Sequence, residues 1–226
     1  MEKEEVLQKI RGAENVVYLT GAGVSTPSGI PDYRSMEGIY TTSGLKEPEY
    51  LLSHRALLYD TDDWYAFIKQ LYHEEAKPNV IHEKMAPATV ITQNIDGLHG
   101  KAGTRNLVEF HGTIATNHCE KCGQAVATEE FLDSYLHKNC GGIIRPDVVF
   151  YDEQIAPENI SRAINALQTA DLVVIVGTTF KVYPFAALIQ YATPQADVLA
   201  INRDPVAQIP KSATYLGDAV EVFDAL

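Results

Sequence analysis

The sequence predicts an α/β fold in which helices cover both faces of a parallel sheet. Short apolar runs rich in Val and Ile alternate with segments whose apolar residues recur at helical spacing. These runs are four to six residues long and apolar throughout, as expected for strands buried on both faces of a sheet. The runs end in small or polar residues, and open α/β folds bind ligands beyond the carboxyl ends of their strands. The sequence therefore indicates one ligand crevice built by several strand ends.

The chain begins with a predicted amphipathic helix over residues 2–13. Its apolar side chains recur on one face: Val6, Leu7 and Ile10. A buried strand follows at residues 16–19 and stops at the small residues 20–23. This order of helix, strand and small-residue turn opens the α/β pattern.

The second quarter of the chain predicts helices instead of strands. From Met36 to about Lys77 the apolar residues recur at helical spacing, with an acidic interruption at residues 60–63. We interpret residues 36–85 as a helical insertion. Trp64 and its aromatic neighbours are expected in the core of this insertion, since large aromatic side chains mostly serve packing.

The rest of the chain returns to alternating strands and helices. Strands are predicted at residues 89–92, 106–110, 171–176, 198–201 and 220–223. Helices are predicted from Pro157, where proline suits the first turn, and from Pro184. Polar or small clusters follow three of the strands, at residues 93–99, 177–179 and 202–204.

A glycine-containing turn follows the first strand. Gly21 and Gly23 form a G-x-G pair, but Thr26 stands where a dinucleotide fingerprint has its third glycine. Backbone N–H groups at such a turn bind diphosphates, while glycine is also needed merely to make a tight turn. The residues alone leave both interpretations open.

All three cysteines lie between residues 119 and 140. An odd, clustered set does not form a disulfide framework and indicates metal binding. Cys119 and Cys122, followed by His137 and Cys140, would supply a closed tetrahedral Cys3His set, which suits one structural zinc. The alternative is a segment without metal that packing alone holds together.

The chain of 226 residues has a formal net charge of -12. This charge repels nucleic acid and anionic membranes, so neither is expected as a partner, whereas a lysine-rich peptide would be attracted. Solubility is the more general reason for the overall charge, and we favour it. The N-terminal residues lack the apolar run of a signal peptide, and no stretch reaches the roughly 20 apolar residues of a membrane span. We expect a cytoplasmic protein.

Eight motifs occur in one order along the chain: GAGVSTPSGIPDYR (21–34), QNIDGLH (93–99), FHG (110–112), CEKC (119–122), GGIIRPDVVFYDE (141–153), GTTFKVYP (177–184), IN (201–202) and GDA (217–219). On these motifs the chain resembles sirtuins, the NAD-dependent protein lysine deacylases, in their minimal bacterial form. The resemblance implies a Rossmann-like NAD-binding domain from residues 1–35, 86–112 and 145–226. It also implies a small domain made of the helical insertion 36–85 and a zinc-ribbon module at 113–144.

The same resemblance implies a consumed NAD and a set of site residues. His111 is expected to act as the general base and Asn94 to contact the ribose and water, both as catalytic residues. The implied NAD-binding residues are Gly21, Ala22, Gly23, Thr26, Asp32, Tyr33, Arg34, Gln93, Asn94, Ile95, Asp96, His111, Gly177, Thr178, Thr179, Asn202 and Ala219.

A further segment resembles the strand that binds the acyl-lysine peptide by β-augmentation: Val148, Val149, Phe150 and Tyr151. Asp152 stands where the family usually has glycine, which restricts the backbone and adds a negative charge. The Tyr-x-x-Arg pair of relatives specific for acidic acyl groups is absent from residues 64–69. Acetyl or a longer apolar acyl group is therefore expected.

The expected reaction removes acetyl from lysine, transfers it to ADP-ribose, and releases nicotinamide and O-acetyl-ADP-ribose. The partners would be acetylated proteins or peptides. Two alternatives remain at this point: ADP-ribosyl transfer to a protein, and a non-catalytic NAD-binding module. The presence of both Asn94 and His111 argues against each of them.

Overall fold

A computed structural model describes residues 1–31 and 47–226 of the chain. Its strands, in chain order, are β1 (Val16–Thr20), β2 (Thr89–Thr92), β3 (Asn106–Glu109), β4 (Gly112–Cys119), β5 (Ala125–Val126), β6 (Ile144–Val148), β7 (Leu172–Val176), β8 (Asp197–Asn202) and β9 (Thr214–Leu216). Its α-helices are α1 (Lys3–Gly12), α2 (Pro48–Leu51), α3 (His54–Tyr59), α4 (Thr61–Lys69), α5 (Val80–Met85), α6 (Leu98–Lys101), α7 (Thr128–Asp133), α8 (Pro157–Thr169) and α9 (Ala219–Phe223). Among the residues so described, no helix has the length and apolar character needed to cross a bilayer.

The larger sheet is parallel and has six strands in the order β3-β2-β1-β7-β8-β9. The chain builds outward from β1 to β2 and β3 on one side, and then from β7 to β9 on the other. The boundary between β1 and β7 is thus a topological switch point, where α/β sheets bind ligands. Thr20 at the end of β1 pairs with Thr92 and Val176, so three strands end side by side at this boundary.

Buried side chains cover both faces of this sheet, as predicted. Along β1, Val17 and Leu19 belong to one apolar cluster and Tyr18 to another, as the alternation of a strand requires. The first cluster includes Ala163 and Leu167 of α8. The second includes residues of α1, α5 and α9. The sheet is therefore a middle layer between two layers of helices.

The smaller sheet is antiparallel, with three strands in the order β5-β4-β6. It shares a third apolar cluster with the helices at residues 48–69. Trp64 is fully buried there, and its ring meets Phe131 and Phe150 edge-on at centroid distances of 6.2 and 5.8 Å. The prediction that Trp64 belongs to the core of the helical insertion is confirmed.

The predicted last strand is wrong, because residues 219–223 form helix α9. The Asp218 side chain accepts a hydrogen bond from the backbone N–H of Val220 at 2.9 Å and thereby begins the helix. Val222 and Phe223 are buried against the sheet from this helix. The last strand is instead β9, which pairs with β8. A short apolar run does not distinguish a strand from one helical turn by its periodicity.

The helix predicted from Pro184 is a 3-10 helix over Phe185–Tyr191. The other strand predictions for the large sheet agree with the structure within one residue at each end. The agreement at the strand ends follows from the local character of the signal, since the polar residues after each buried run mark where the strand stops.

Candidate active site and metal centre

The turn after β1 packs directly against the end of β7. The backbone N–H of Gly21 donates to Val176 O at 3.1 Å, and that of Gly23 donates to Gly177 O at 2.8 Å. Gly177 has φ +62°, and a Cβ there would lie 2.7 Å from the backbone nitrogen of Val24. Glycine is thus required because two backbone segments touch. This contact holds Ala22 at the edge of the crevice.

A side-chain hydrogen bond ties the end of β2 to the end of β7. Gln93 Nε2 donates to Thr178 Oγ1 at 2.7 Å, and the same oxygen accepts the Phe180 backbone N–H at 3.0 Å. Thr178 is buried and the neighbouring Thr179 is half-buried. Two predicted residues, Gln93 and Thr178, are therefore in direct contact, and Thr179 follows them along the chain.

A second set of polar side chains, Asn94, Ser25 and Asp96, is hydrogen-bonded to the glycine turn and to one another. Asn94 Nδ2 donates to Gly21 O at 3.0 Å and to Ser25 Oγ at 3.2 Å. Ser25 Oγ donates in turn to Asp96 Oδ2 at 2.7 Å, while Asp96 Oδ1 accepts the Leu98 N–H at 2.8 Å. Asn94 and Asp96 are thus fixed relative to the glycine turn. Both side chains line the same crevice.

This crevice lies between the two sheets. Its lining combines the glycine turn and the β2 end with Leu71 from the insertion and Ile114 from β4. Within residues 1–31 and 47–226, the lining consists of Ala22, Ser25, Ile30, Pro31, Leu71, His73, Asn94, Ile95, Asp96 and Ile114. Ile95 also belongs to the edge of the third apolar cluster, and its carbonyl accepts the Ile114 N–H at 2.8 Å.

His111 directly precedes β4 and packs beside two phenylalanine rings. Its ring centroid lies 5.5 Å from that of Phe110 and 6.1 Å from that of Phe185. His111 Nδ1 lies 3.2 Å from Gln93 O. Since a carbonyl only accepts, Nδ1 carries the proton and Nε2 is the basic atom of the neutral ring. Burial lowers the pKa of His111, and the bond to Gln93 only partly opposes this.

The remaining predicted NAD-binding residues lie along the same sheet edge. Asn202 ends β8, where its Nδ2 donates to Asp204 O at 2.8 Å and its carbonyl accepts the Gly217 N–H at 3.0 Å. Ala219 is buried at the start of α9. Thr26 follows the glycine turn, and its hydroxyl donates to Gly23 O at 3.1 Å. Three predicted residues lie outside the described part of the chain: Asp32, Tyr33 and Arg34.

The predicted peptide segment leaves the smaller sheet and continues toward the helical insertion. Val148 pairs with Gly112, and the Val149 N–H donates to His111 O at 2.9 Å. The Tyr151 backbone is already engaged, since its N–H donates to Leu52 O at 2.9 Å and its carbonyl accepts the His54 N–H at 3.0 Å. Val148 and Phe150 are buried, while half of the Tyr151 side chain is exposed.

Arg145 supports this segment, and sequence reasoning missed it. It is 6% exposed, and its guanidinium bonds both carboxylate oxygens of Glu153. It also donates to Val148 O at 2.6 Å and to Glu120 at 3.0 Å. Glu153 accepts the Phe150 N–H at 2.8 Å. One guanidinium therefore pairs with two carboxylates, of which Glu153 is half-buried and Glu120 is exposed.

The four predicted metal ligands converge. Their ligand atoms all lie within 4.8 Å of one another. Cys119 Sγ is 3.5 Å from Cys140 Sγ, and His137 Nδ1 is 3.4 Å from Cys122 Sγ. Tetrahedral zinc with Zn–S bonds of about 2.3 Å places neighbouring sulfurs roughly 3.8 Å apart. The residues present fit a Cys3His zinc site.

Two matching turns hold these ligands. The Gly123 N–H donates to Cys119 O at 2.8 Å, and the Gly141 N–H donates to His137 O at 2.8 Å. Each pair of ligands is therefore presented by its own short loop, as two zinc knuckles are. With four protein ligands the site is closed, so a bound zinc would stabilise the fold and would not contact a substrate.

Three further polar residues at or behind the crevice were not predicted: Ser25, His82 and His99. Ser25 lines the crevice, His82 contacts Ser25, and His99 contacts Thr20 at the end of β1. Ser25 and His99 lie inside quoted motifs but were given no role there. His82 lies in α5, where the sequence offers no signal beyond a lone histidine on an apolar helix.

Comparison with known proteins decides the family. Residues 21–184 match the model of the Sir2 family. The chain belongs to this family. An NAD-dependent protein deacetylase of Lactiplantibacillus plantarum is 51% identical over 225 residues, which cover 96% of this chain and 95% of that protein. One from Listeria monocytogenes serotype 4b is 46% identical over 223 residues, covering 96% of each chain.

Solved Sir2 structures share this fold. One, with deacetylated p53 peptide and 3′-O-acetyl-ADP-ribose, has a TM-score of 0.87 at 30% identity and covers 99% of this chain and 96% of that one. Another, with p53 peptide and NAD+, has a TM-score of 0.85 at 28% identity and covers 100% of this chain and 97% of that one. The predicted fold class is confirmed: a Rossmann-like sheet, a helical insertion and a ribbon with a zinc-type ligand cluster.

Proposed function

We propose that this Sir2-family chain is an NAD-dependent protein lysine deacetylase. It removes acetyl from a lysine side chain, transfers it to ADP-ribose, and releases nicotinamide and O-acetyl-ADP-ribose. The observation that supports this best is that Asn94 and Asp96 line the crevice at the switch point. His111 is tied to the same strand end by its hydrogen bond to the carbonyl of Gln93, the residue before Asn94. The chain is also 51% identical to a protein named for this activity.

His111 is the general base. When bound, NAD supplies the ribose to which the acetyl group moves as nicotinamide leaves. The unprotonated Nε2 of His111 accepts the proton of a ribose hydroxyl, while Nδ1–H stays bonded to Gln93 O. A pKa below the usual range keeps Nε2 available at neutral pH.

The other crevice residues bind and orient the co-substrate. Asn94 contacts the ribose and its water, and Asp96 with Ile95 binds the nicotinamide carboxamide, whose N–H groups suit a carboxylate acceptor. The residues assigned to the rest of NAD are Gly21, Ala22, Gly23, Thr26, Asp32, Tyr33, Arg34, Gln93, Gly177, Thr178, Thr179, Asn202 and Ala219. The members of this set that the structure describes lie along one sheet edge, which suits an extended dinucleotide.

The acetyl-lysine peptide binds along residues 148–151 by adding a strand. We infer that the large domain comprises residues 1–35, 86–112 and 145–226. The small domain comprises the insertion 36–85 and the zinc module 113–144. The crevice between the two sheets is where NAD and peptide meet.

We place the protein in the cytoplasm. Three free thiols, all within the metal cluster, suit a reducing compartment in which they remain available to zinc.

The test is a single incubation of the purified protein with NAD and an acetyl-lysine peptide, followed by mass spectrometry. Deacetylated peptide together with nicotinamide and O-acetyl-ADP-ribose is expected. A mass gain on protein would indicate ADP-ribosyl transfer instead, and unchanged NAD would indicate a binding module.

A matched variant tests the base. His111→Asn keeps a donor toward Gln93 O but removes Nε2, so deacetylation is expected to fall roughly 10²–10⁴-fold. The thermal midpoint serves as the control and should change little. Full deacetylation by this variant would exclude His111 as the base.

A further inference from the structure

Two buried histidines lie directly behind the crevice and take no part in the chemistry assigned above. His82 is 0% exposed and His99 is 2% exposed. Their rings meet edge-on with centroids 4.7 Å apart. His99 Nε2 lies 3.1 Å from Thr20 Oγ1 at the end of β1. The pair therefore connects α5, the central strand and the crevice.

The hydrogen bonds at the start of α5 determine the tautomer of His82. The Asn79 backbone N–H points at His82 Nδ1 at 3.3 Å, and Asn79 Oδ1 accepts the Ile81 N–H at 2.9 Å, which completes a capping box. A backbone N–H only donates, so Nδ1 is unprotonated and Nε2 carries the hydrogen. Burial keeps the ring neutral by lowering the pKa of His82 to about 4, although Asp96 opposes this.

The Nε2–H of His82 faces Ser25. His82 Nε2 lies 3.5 Å from Ser25 Oγ, at the long end of hydrogen bonding. Asn94 Nδ2 approaches the same oxygen at 3.2 Å. A hydroxyl has two lone pairs and one hydrogen, so two donors leave the O–H to point at Asp96 Oδ2, 2.7 Å away.

We propose that His82 is a positioning residue for the reaction: through Ser25 it fixes the side chains of Asn94 and Asp96 in the crevice. His99 supports it by filling the space behind its ring. This inference rests on the proposed function, because Asn94 and Asp96 are the residues assigned to the ribose and to the carboxamide. Without His82, Ser25 Oγ would lose one of its two donors, and the orientation of its hydrogen bonds to Asn94 and Asp96 would be less restricted.

The alternative is that His82 only caps α5, and two substitutions separate the roles. Asn places its side-chain amide near the position of Nδ1, so His82→Asn keeps an acceptor for the Asn79 N–H and loses the donor to Ser25. Gln places its amide nitrogen near the position of Nε2, so His82→Gln keeps the donor and loses the cap.

The experiment measures kcat/KM for NAD with saturating acetyl-lysine peptide, together with the thermal midpoint. His82→Asn is expected to lower kcat/KM about tenfold, equivalent to about 1.4 kcal/mol. His82→Gln is expected to stay within about threefold of the wild type, an estimate based on its retained donor. Equal activity of His82→Asn and the wild type, or a greater loss in His82→Gln, would overturn the proposal.

A double-mutant cycle with Ser25→Ala tests the route of the effect. If His82 acts through Ser25, His82→Asn should cause no further loss in the Ser25→Ala background. If the losses of kcat/KM in the two single variants multiply in the double variant, the proposal is overturned.

The tautomer is measurable on the unmodified protein, whether or not the variants fold. Nitrogen NMR of 15N-histidine-labelled protein at neutral pH should show His82 neutral and protonated at Nε2. A proton at Nδ1 would overturn the proposal. This result is independent of turnover: if the wild type fails to consume NAD, the proposed function fails while the tautomer is still determined.

Discussion

At the residue scale, Asp152 has a backbone that glycine would adopt with less strain. Its φ is +72°, in the left-handed region that side chains disfavour, and it lies in the loop between the Tyr151 strand bridge and Glu153. The sequence predicted a restricted backbone here, and the structure shows the strained angle. Asp is among the residues that tolerate this region best.

Asp152→Gly is accordingly expected to raise the free energy of unfolding by roughly 0.5–1 kcal/mol, because the strain relieved exceeds the entropy that glycine loses. Urea unfolding would measure this change in the free energy of unfolding. Asp152→Ala is the matched control and should not stabilise, since alanine keeps the Cβ. A loss of stability in Asp152→Gly would show that the carboxylate itself holds the loop.

At the scale of elements, the turn after β1 depends on its contact with the end of β7. A side chain at residue 177 would need both a left-handed backbone and space that Gly23 and Val24 occupy. Gly103 has a similar φ of +79° but open space around it. A comparison of alanine substitutions at the two glycines therefore separates the cost of a left-handed backbone from the cost of steric overlap.

Gly177→Ala is expected to cost more than about 2 kcal/mol of unfolding free energy and to weaken NAD binding at least tenfold, because the glycine turn must move. Gly103→Ala should cost only about 1 kcal/mol and leave NAD binding intact. Urea unfolding and calorimetric titration with NAD measure both quantities. Equal costs would mean that the turn and β7 separate easily.

The zinc ribbon is a second element, and its stability depends on the four side chains that would bind the metal. Metal analysis of the purified protein is expected to give about one zinc per chain. His137→Ala should lose the metal and lower the thermal midpoint, whereas His137→Cys should retain it as a four-thiolate site. A zinc content near zero in the wild type would contradict the Cys3His assignment and leave packing as the force that holds the ribbon.

At the scale of the whole molecule, burying two histidines couples the stability of the large sheet to pH. Desolvation lowers the pKa of His99 to about 3, and His82 adds to this; the pKa of His82 itself is lowered to about 4. Unfolded histidine has a pKa near 6.5, so the unfolded chain binds more protons between these values. The stability from these residues is therefore fully present above pH 6.5 and is lost as the pH falls toward 3.

Each histidine is expected to contribute a slope of about 1.4 kcal/mol per pH unit in this window. Urea unfolding of His99→Gln between pH 6.5 and 4.5 should show a slope smaller by that amount than the slope of the wild type. The zinc ligands are the same in both proteins, so their titration cancels. Identical slopes would mean that His99 has the same pKa in the folded and the unfolded chain.

The molecule also shows why the site could be predicted only in part. The strand ends that hold Gly21, Gln93 and Thr178 could be located from sequence, since a polar residue after a buried run marks the end of a strand. The cysteine spacing likewise indicated the metal cluster. The roles of the individual residues came from the resemblance, because spacing does not distinguish a ligand contact from a turn.

The sequence by itself determined the α/β class, the position of the crevice at the strand ends, and the ligand set of the metal site. These depend on patterns within a few residues. Only the tertiary structure decided that residues 219–223 are helical and that Ser25 meets His82, 57 positions away along the chain. Burial against the sheet decides the first and a long-range hydrogen bond behind the crevice decides the second, and neither is encoded in local periodicity.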